Sequence, residues 1–174
     1  MTDNGLSEDT ASTAAPDGGV SLKLEEFLPY RLNVVSSLTS QALSSIYAER
    51  YRIGVPEWRV LVTLGQYGVM TGKAVGAHSH MHKTKVSRAV ATLEQRKLVA
   101  RRANKADMRE AFLSLTPAGR AIYQDLAPIA QEFVGRLAED ISAADRAAFE
   151  RVLTLLIERA AVLASERTKA RPTG

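Results

Sequence analysis

From Leu24 onwards apolar residues recur at helical spacing. Leu28, Leu32, Val35, Ala42 and Ile46 approximate the i, i+4, i+7 stripe of one buried helix face. Pro29 is tolerated only in a first turn, where no N–H is missed, so regular structure is expected to begin near it. In GVPEWRVLVTLGQYG, Pro56 suits a first helical position and Glu57 the positive end of the helix dipole. Trp58, Leu61, Val62 and Leu64 supply that helix's apolar face. Thr71 is a candidate cap for a short helix through about His78, and another helix is expected over about Lys83 to Lys97.

The period then switches. LVARRA and EAFLSLT are short, β-capable runs on either side of the polar turn NKADMR, which reads as an antiparallel hairpin. Thr116-Pro117 is an N-cap followed by proline, opening a helix to about Ala138. Ser142 and Asp145 stand at capping-box spacing, with Asp in place of the usual Glu or Gln. They open a last helix with Phe149, Leu153, Leu156, Ala160 and Leu163 on one side, a stripe that serves either an intrachain core or an interface. The expected fold class is mainly α: three helices, a recognition-type helix, a two-stranded wing and two long helices. Residues 1–22 and 167–174 hold too few large apolar side chains to pack and read as disordered tails around a folded region, 23–166.

Composition narrows the function classes. The chain of 174 residues has no cysteine, which excludes disulfides and thiolate chemistry. It shows neither a bilayer-length apolar run nor a signal-peptide pattern, so a cytoplasmic protein without a membrane partner is expected. The net charge is +4, but it is concentrated: Lys73 to Arg109 holds ten basic residues against Glu94 and Asp107, a local +8, and the other positions sum to −4. One basic segment on a neutral-to-acidic body is what a polyanion-binding element needs, although a solvated helix face has the same composition.

The order of elements gives that segment a reading. In a helix-turn-helix the second helix enters the major groove, where base edges are distinguishable. In KTKVSRAVATLEQRKL, Val86, Val90 and Leu93 would face the core, leaving Lys83, Thr84, Lys85, Ser87 and Arg88 outward near the N-terminal end. Arg88 has the geometry to bond a guanine bidentately, and the lysines and hydroxyls suit phosphates or bases. In the hairpin, Arg101, Arg102, Lys105 and Arg109 are candidates for flanking phosphates or a minor groove. His78, His80 and His82 in HSHMH raise a rival reading, a metal-responsive regulator. The expected break between helices, the absence of cysteine and the lack of acidic residues within the segment argue against it. A non-specific nucleoid-type DNA-binding protein is a further alternative. The HExxH, GxSxG and GxxxxGK signatures are absent, so an enzyme is not expected.

HKTKVSRAVATLEQRKLVARRANKADMREAFLSLTPAGRAIY resembles the winged helix-turn-helix of the MarR family of bacterial transcriptional regulators. The resemblance rests on a K-[ST]-x-V-[ST]-R helix start, L-E-x-[RK]-x-L-V before the wing, the pair Asp107 and Arg109, and L-T-x-x-G-R after it. It implies a homodimer whose terminal helices interlock, about 24–50 and 117–165, with winged cores, about 54–116, on the double-stranded DNA of a pseudo-palindromic operator. It also implies that Asp107 and Arg109 shape the wing tip and that Arg109 enters a minor groove; from the residues alone the pair is equally a turn salt bridge. FLPYRLNVVSSLTSQALSSIYAERYRIGVPEWRVL resembles the branch controlling aromatic-acid catabolism, including hydroxycinnamates recognised as CoA thioesters. That resemblance implies a small-molecule effector, an aromatic acid or aryl-CoA thioester, near Tyr30, Arg31, Ser37 and Trp58, and a repressor it releases. Trp58 and Tyr30 are equally core or interface residues by type. No cofactor is implied.

Overall fold

The computed structural model describes residues 21–104 and 108–169. The expected tails therefore lie largely outside the described residues. The chain divides into two units, Met1–Ala42 and Leu43–Gly174.

In the first unit a 3-10 turn, Leu24–Glu26, precedes helix α1, Leu28–Tyr51, with Pro29 in its first turn. The stripe expected to be buried is not buried at its start by the described residues: Leu28, Leu32 and Val35 are exposed, and so is Leu38. A helical apolar stripe states only that a face seeks a partner; the partner has to come from somewhere. In the second unit, the end of α1 finds one. Tyr47 is buried, with Leu43, Ile46 and Tyr51 packed around it.

Helix α2, Val55–Tyr67, starts as its sequence dictates, with Pro56 in the first turn and the Glu57 carboxylate accepting from the Gly54 N–H at 3.0 Å. It is the hub of the core and packs against α3 (Gly72–Ser79), α4 (Lys83–Gln95), α5 (Pro117–Leu137) and the sheet. Neighbours on several sides explain why Val60 and Thr63 are buried beside the expected Trp58, Leu61 and Leu64. Leu61, Leu64 and Leu93 are fully buried, each contributing roughly 1.5–3 kcal/mol against an exposed side chain.

The wing differs from the expected two strands. Strands β2 (Val99–Ala103) and β3 (Ala111–Leu115) pair antiparallel, Arg101 opposite Leu113, but a third strand, β1 (Met70–Thr71), pairs with the other edge of β3. Two residues are too few to show a period-2 pattern. They are a strand only because β3 offers unpaired backbone groups there.

Two close approaches fix α5, one beside the sheet and one against α2. Thr116 caps α5 by accepting from the Gly119 N–H at 3.1 Å, while its hydroxyl donates to the Lys97 carbonyl at 2.7 Å. Gly119 lies so near the chain entering β2 that an added Cβ would collide with the Leu98 carbonyl oxygen. Gly65 of α2 lies under the Tyr123 ring of α5, where a Cβ would come within 2.7 Å of ring carbons. The last helix, α6 (Ala143–Lys169), follows Ser142, whose Oγ accepts from the Asp145 N–H at 3.1 Å. The Asp145 carboxylate accepts from the Ser142 hydroxyl at 2.6 Å, a variant of the expected capping box.

Candidate nucleic-acid interface

The inner face of α4 is set by Val86, Ala89, Val90 and Leu93, all buried. Their spacing leaves Lys83, Thr84, Lys85, Ser87 and Arg88 together on the exposed arc of the first two turns, as the periodicity predicts. No acidic residue occupies that first turn. The cap is weak: the Thr84 N–H points to His82 Nδ1 at 3.4 Å, longer than a good N–H···N contact. The positive helix end, with its lysines, thus faces outward with little local compensation, which favours an approaching anion.

The far end of α4 is better fastened. Lys97 takes a left-handed conformation, φ 59°, with the Leu98 N–H donating to the Leu93 carbonyl and the Lys97 N–H to that of Glu94, each at 2.9 Å. This double closure stops the helix and turns the chain into β2.

Consecutive residues of a strand point to opposite faces, so Arg101 and Arg102 part company. Arg101 turns back to α4: its Nε and Nη2 donate to Glu94 Oε1 and Oε2 at 2.9 and 2.8 Å, a two-pronged pair that ties the wing to the recognition helix. The Arg101 hydrogen bonds hold the Glu94 carboxyl below the usual range, against the opposing effect of burial. Arg102 lies with its guanidinium 5.8 Å from the centre of the Phe112 ring, within cation–π reach. Arg109 follows the wing tip, and with Lys73, His82 and Lys83 it lines a cleft of about 610 Å³ between α3, α4 and the wing. Lys105 and Asp107 lie outside the described residues.

The three histidines do three different things. His78 packs against the Tyr67 ring, centroids 4.3 Å apart. His80 ends α3 in a left-handed conformation, φ 50°. His82 caps α4. Among the described residues no group of three or more His, Cys, Asp or Glu is placed to hold a metal ion. Of the candidate effector residues, Tyr30, Arg31 and Ser37 lie exposed on α1 in the first unit. Trp58 belongs to the second unit, where it is buried and stacks on Tyr47, centroids 5.5 Å apart.

Two residues of the recognition region were not singled out from sequence. Glu94 anchors Arg101, and Arg96 donates to backbone carbonyls at the end of α1. The signal for Glu94 lay in the L-E-x-[RK]-x-L-V motif, which carries no hint of its partner.

Residues 53–111, from just before α2 to the first residue of β3, match the sequence model of the MarR family. That match covers the winged module and not the long helices on either side of it. Solved structures extend the likeness of fold beyond it. A MarR family transcriptional regulator from Silicibacter pomeroyi DSS is 26% identical over 78% of this chain and 90% of its own, with a TM-score of 0.68. BpsR of Bordetella bronchiseptica, whose DNA binding is regulated by 6-hydroxynicotinic acid, is 21% identical over 79% of this chain and 97% of its own, TM-score 0.70. S. aureus MepR, solved with DNA, is 22% identical over 77% of this chain and 99% of its own, TM-score 0.69. No curated protein matches the chain in sequence. The basic arc of α4 and the arginines of β2 lie within the residues that match the family model.

Proposed function

We propose that this MarR-type DNA-binding regulator acts as a cytoplasmic homodimer that represses from a pseudo-palindromic operator and is released by a small aromatic acid or its CoA thioester. The observation that carries the DNA-reading part is the arc of Lys83, Thr84, Lys85, Ser87 and Arg88, held outward by four buried residues of the same helix. Arg88 reads a base edge in this scheme, with the lysines and hydroxyls on phosphates. Arg102, Lys105 and Arg109 supply flanking contacts, and Asp107 shapes the wing tip. Arg101 contributes through its pairing with Glu94 as well as through its charge.

Dimerisation is supported by α6. No described residue of this 27-residue helix is buried, and Phe149, Val152, Leu155, Ile157 and Leu163 are more than half exposed. A helix this apolar is stable in water only with a partner surface. Two half-sites about one helical turn, roughly 10 bp, apart then suit two recognition helices on one DNA face. For the effector, support comes from the aromatic acid that regulates BpsR and from Tyr30 and Arg31 on α1, a ring and a guanidinium suited to an aryl carboxylate. Ser37 and Trp58 complete the proposed effector set. The effector acts by population shift, and a preference of a few kcal/mol for the non-binding state empties most operators.

The test is a titration against DNA flanking the protein's own gene, with random DNA as competitor at two salt concentrations, followed by aromatic acids and aryl-CoA esters. The expected result is binding that prefers one palindrome by about 10³-fold or more and is reversed by one compound class. Binding that ignores sequence and vanishes with salt would leave a non-specific DNA-binding protein. Specific binding that depends on added zinc would point to the histidine corner instead.

A further inference from the structure

Buried residues along one face seat α4, but its outward end is weakly capped, so the hold on its other end matters for its direction. The other end shows how. Arg96, the C-cap of α4, reaches across to the end of α1, where its Nη2 donates to the Tyr51 carbonyl at 2.7 Å and its Nη1 to the Arg52 carbonyl at 3.1 Å. Those carbonyls belong to the last turn of α1 and the residue after it, groups that a terminating helix leaves without partners. The same end of α1 is tied on its other side to α5. The Tyr51 hydroxyl donates to Asp125 Oδ2 at 2.8 Å, and Arg50 pairs with that oxygen at 3.4 Å. On α4, one residue before its end, Glu94 grips Arg101 of the wing. Polar contacts, some through side chains and some through backbone carbonyls, therefore join α5 to the end of α1, the end of α1 to α4, and α4 to β2.

We infer that Arg96 is a positioning residue for DNA recognition, fixing the far end of α4 to the end of α1 so that the base-reading end is aimed. The chemistry is specific to arginine. The C-terminus of α1, carrying partial negative charge, meets one guanidinium, whose planar fork serves two carbonyls at once; an ammonium keeps the charge but not the fork. About 12 Å of helix rise separates Arg88 from Arg96, so Arg96 acts on bases only through the helix. A rod held firmly at one end carries any tilt of that end to the other.

The inference rests on the DNA-reading function proposed above. The probes are a duplex selected by the wild-type protein from a random library and a random-sequence duplex, each titrated at several salt concentrations. A wild-type protein that selects no sequence overturns the DNA-reading function itself. Given selection, Arg96→Met is expected to lower the ratio of selected to random affinity about tenfold, the size of effect typical of coupled networks. Affinity for random DNA and the salt slope should stay unchanged, because no phosphate contact is lost. Arg96→Lys should recover part of the ratio. Tyr51→Phe, which removes one hydroxyl from the same chain, should lower it about threefold and add nothing on top of Arg96→Met. An unchanged ratio in Arg96→Met overturns the inference, as does an equal loss on both duplexes with a shallower salt slope, the mark of a phosphate contact. Should Arg96→Met fail to fold, unchanged ratios in Arg96→Lys and Tyr51→Phe overturn it.

Discussion

Lys97 pays for a turn with its backbone. Its φ of 59° is a conformation that L side chains enter at a cost and glycine enters freely. Lys97→Gly should therefore raise stability by about 0.5–1 kcal/mol, read as a higher urea midpoint at unchanged slope. Gly119 is the converse case. Its hydrogen stands where a methyl would strike the Leu98 carbonyl, so Gly119→Ala should destabilise by about 1–3 kcal/mol or more and separate α5 from the sheet. Glu94 predicts a pH dependence. Its carboxyl is held below its ordinary value by Arg101, so the folded protein binds its proton less readily than the unfolded chain. The stabilisation is then complete above the unfolded value, about 4.3, and is lost as the pH falls through the lower folded value. Denaturant midpoints of wild type and Glu94→Gln, apart at neutral pH, should converge in that acid range; a constant gap would remove the pairing as its source.

Among the elements, α4 was the most legible. Its apolar period placed Val86, Val90 and Leu93 inward, and the outward set followed without further information. Arg88→Ala should cost about 1–3 kcal/mol on the selected operator and relax the preference at one base position, measured by competition with single-base variants. Uniform weakening on every sequence would reassign Arg88 to a phosphate. Helix ends were harder to read. The turns after α1, α3 and α4 each use a left-handed residue, Arg52, His80 and Lys97, none of which signals a stop as glycine does. The third strand was invisible for a different reason, because β1 is defined by the edge it meets and not by its own two residues.

On the scale of the whole molecule, the unburied apolar residues decide the expectation. A monomer would leave Phe149, Leu155 and Leu163 in water, so the 18.9 kDa chain should sediment as a species of twice that mass. Phe149→Asp combined with Leu163→Asp should shift that mass toward the single chain and weaken operator binding with it. Retention of the dimer would place the interface elsewhere. In a lone chain both substitutions fall on side chains that are more than half exposed and should leave the winged module folded.

The local order of this protein was written in its sequence: Thr116 before Pro117, the stripe of α4, the basic segment from Lys73 to Arg109 and the motifs around the wing. Each depends on neighbours within one or two turns, where spacing alone determines which residues share a face. The tertiary structure decided which of the basic residues are paired. Arg101 answers to Glu94, Arg102 to Phe112 and Arg96 to the end of α1, partnerships that depend on where separate elements meet. The three closely spaced histidines show the same division. Their spacing suggested one site, and the turn at His80 sends them to three different tasks because a helix break reorients every side chain after it.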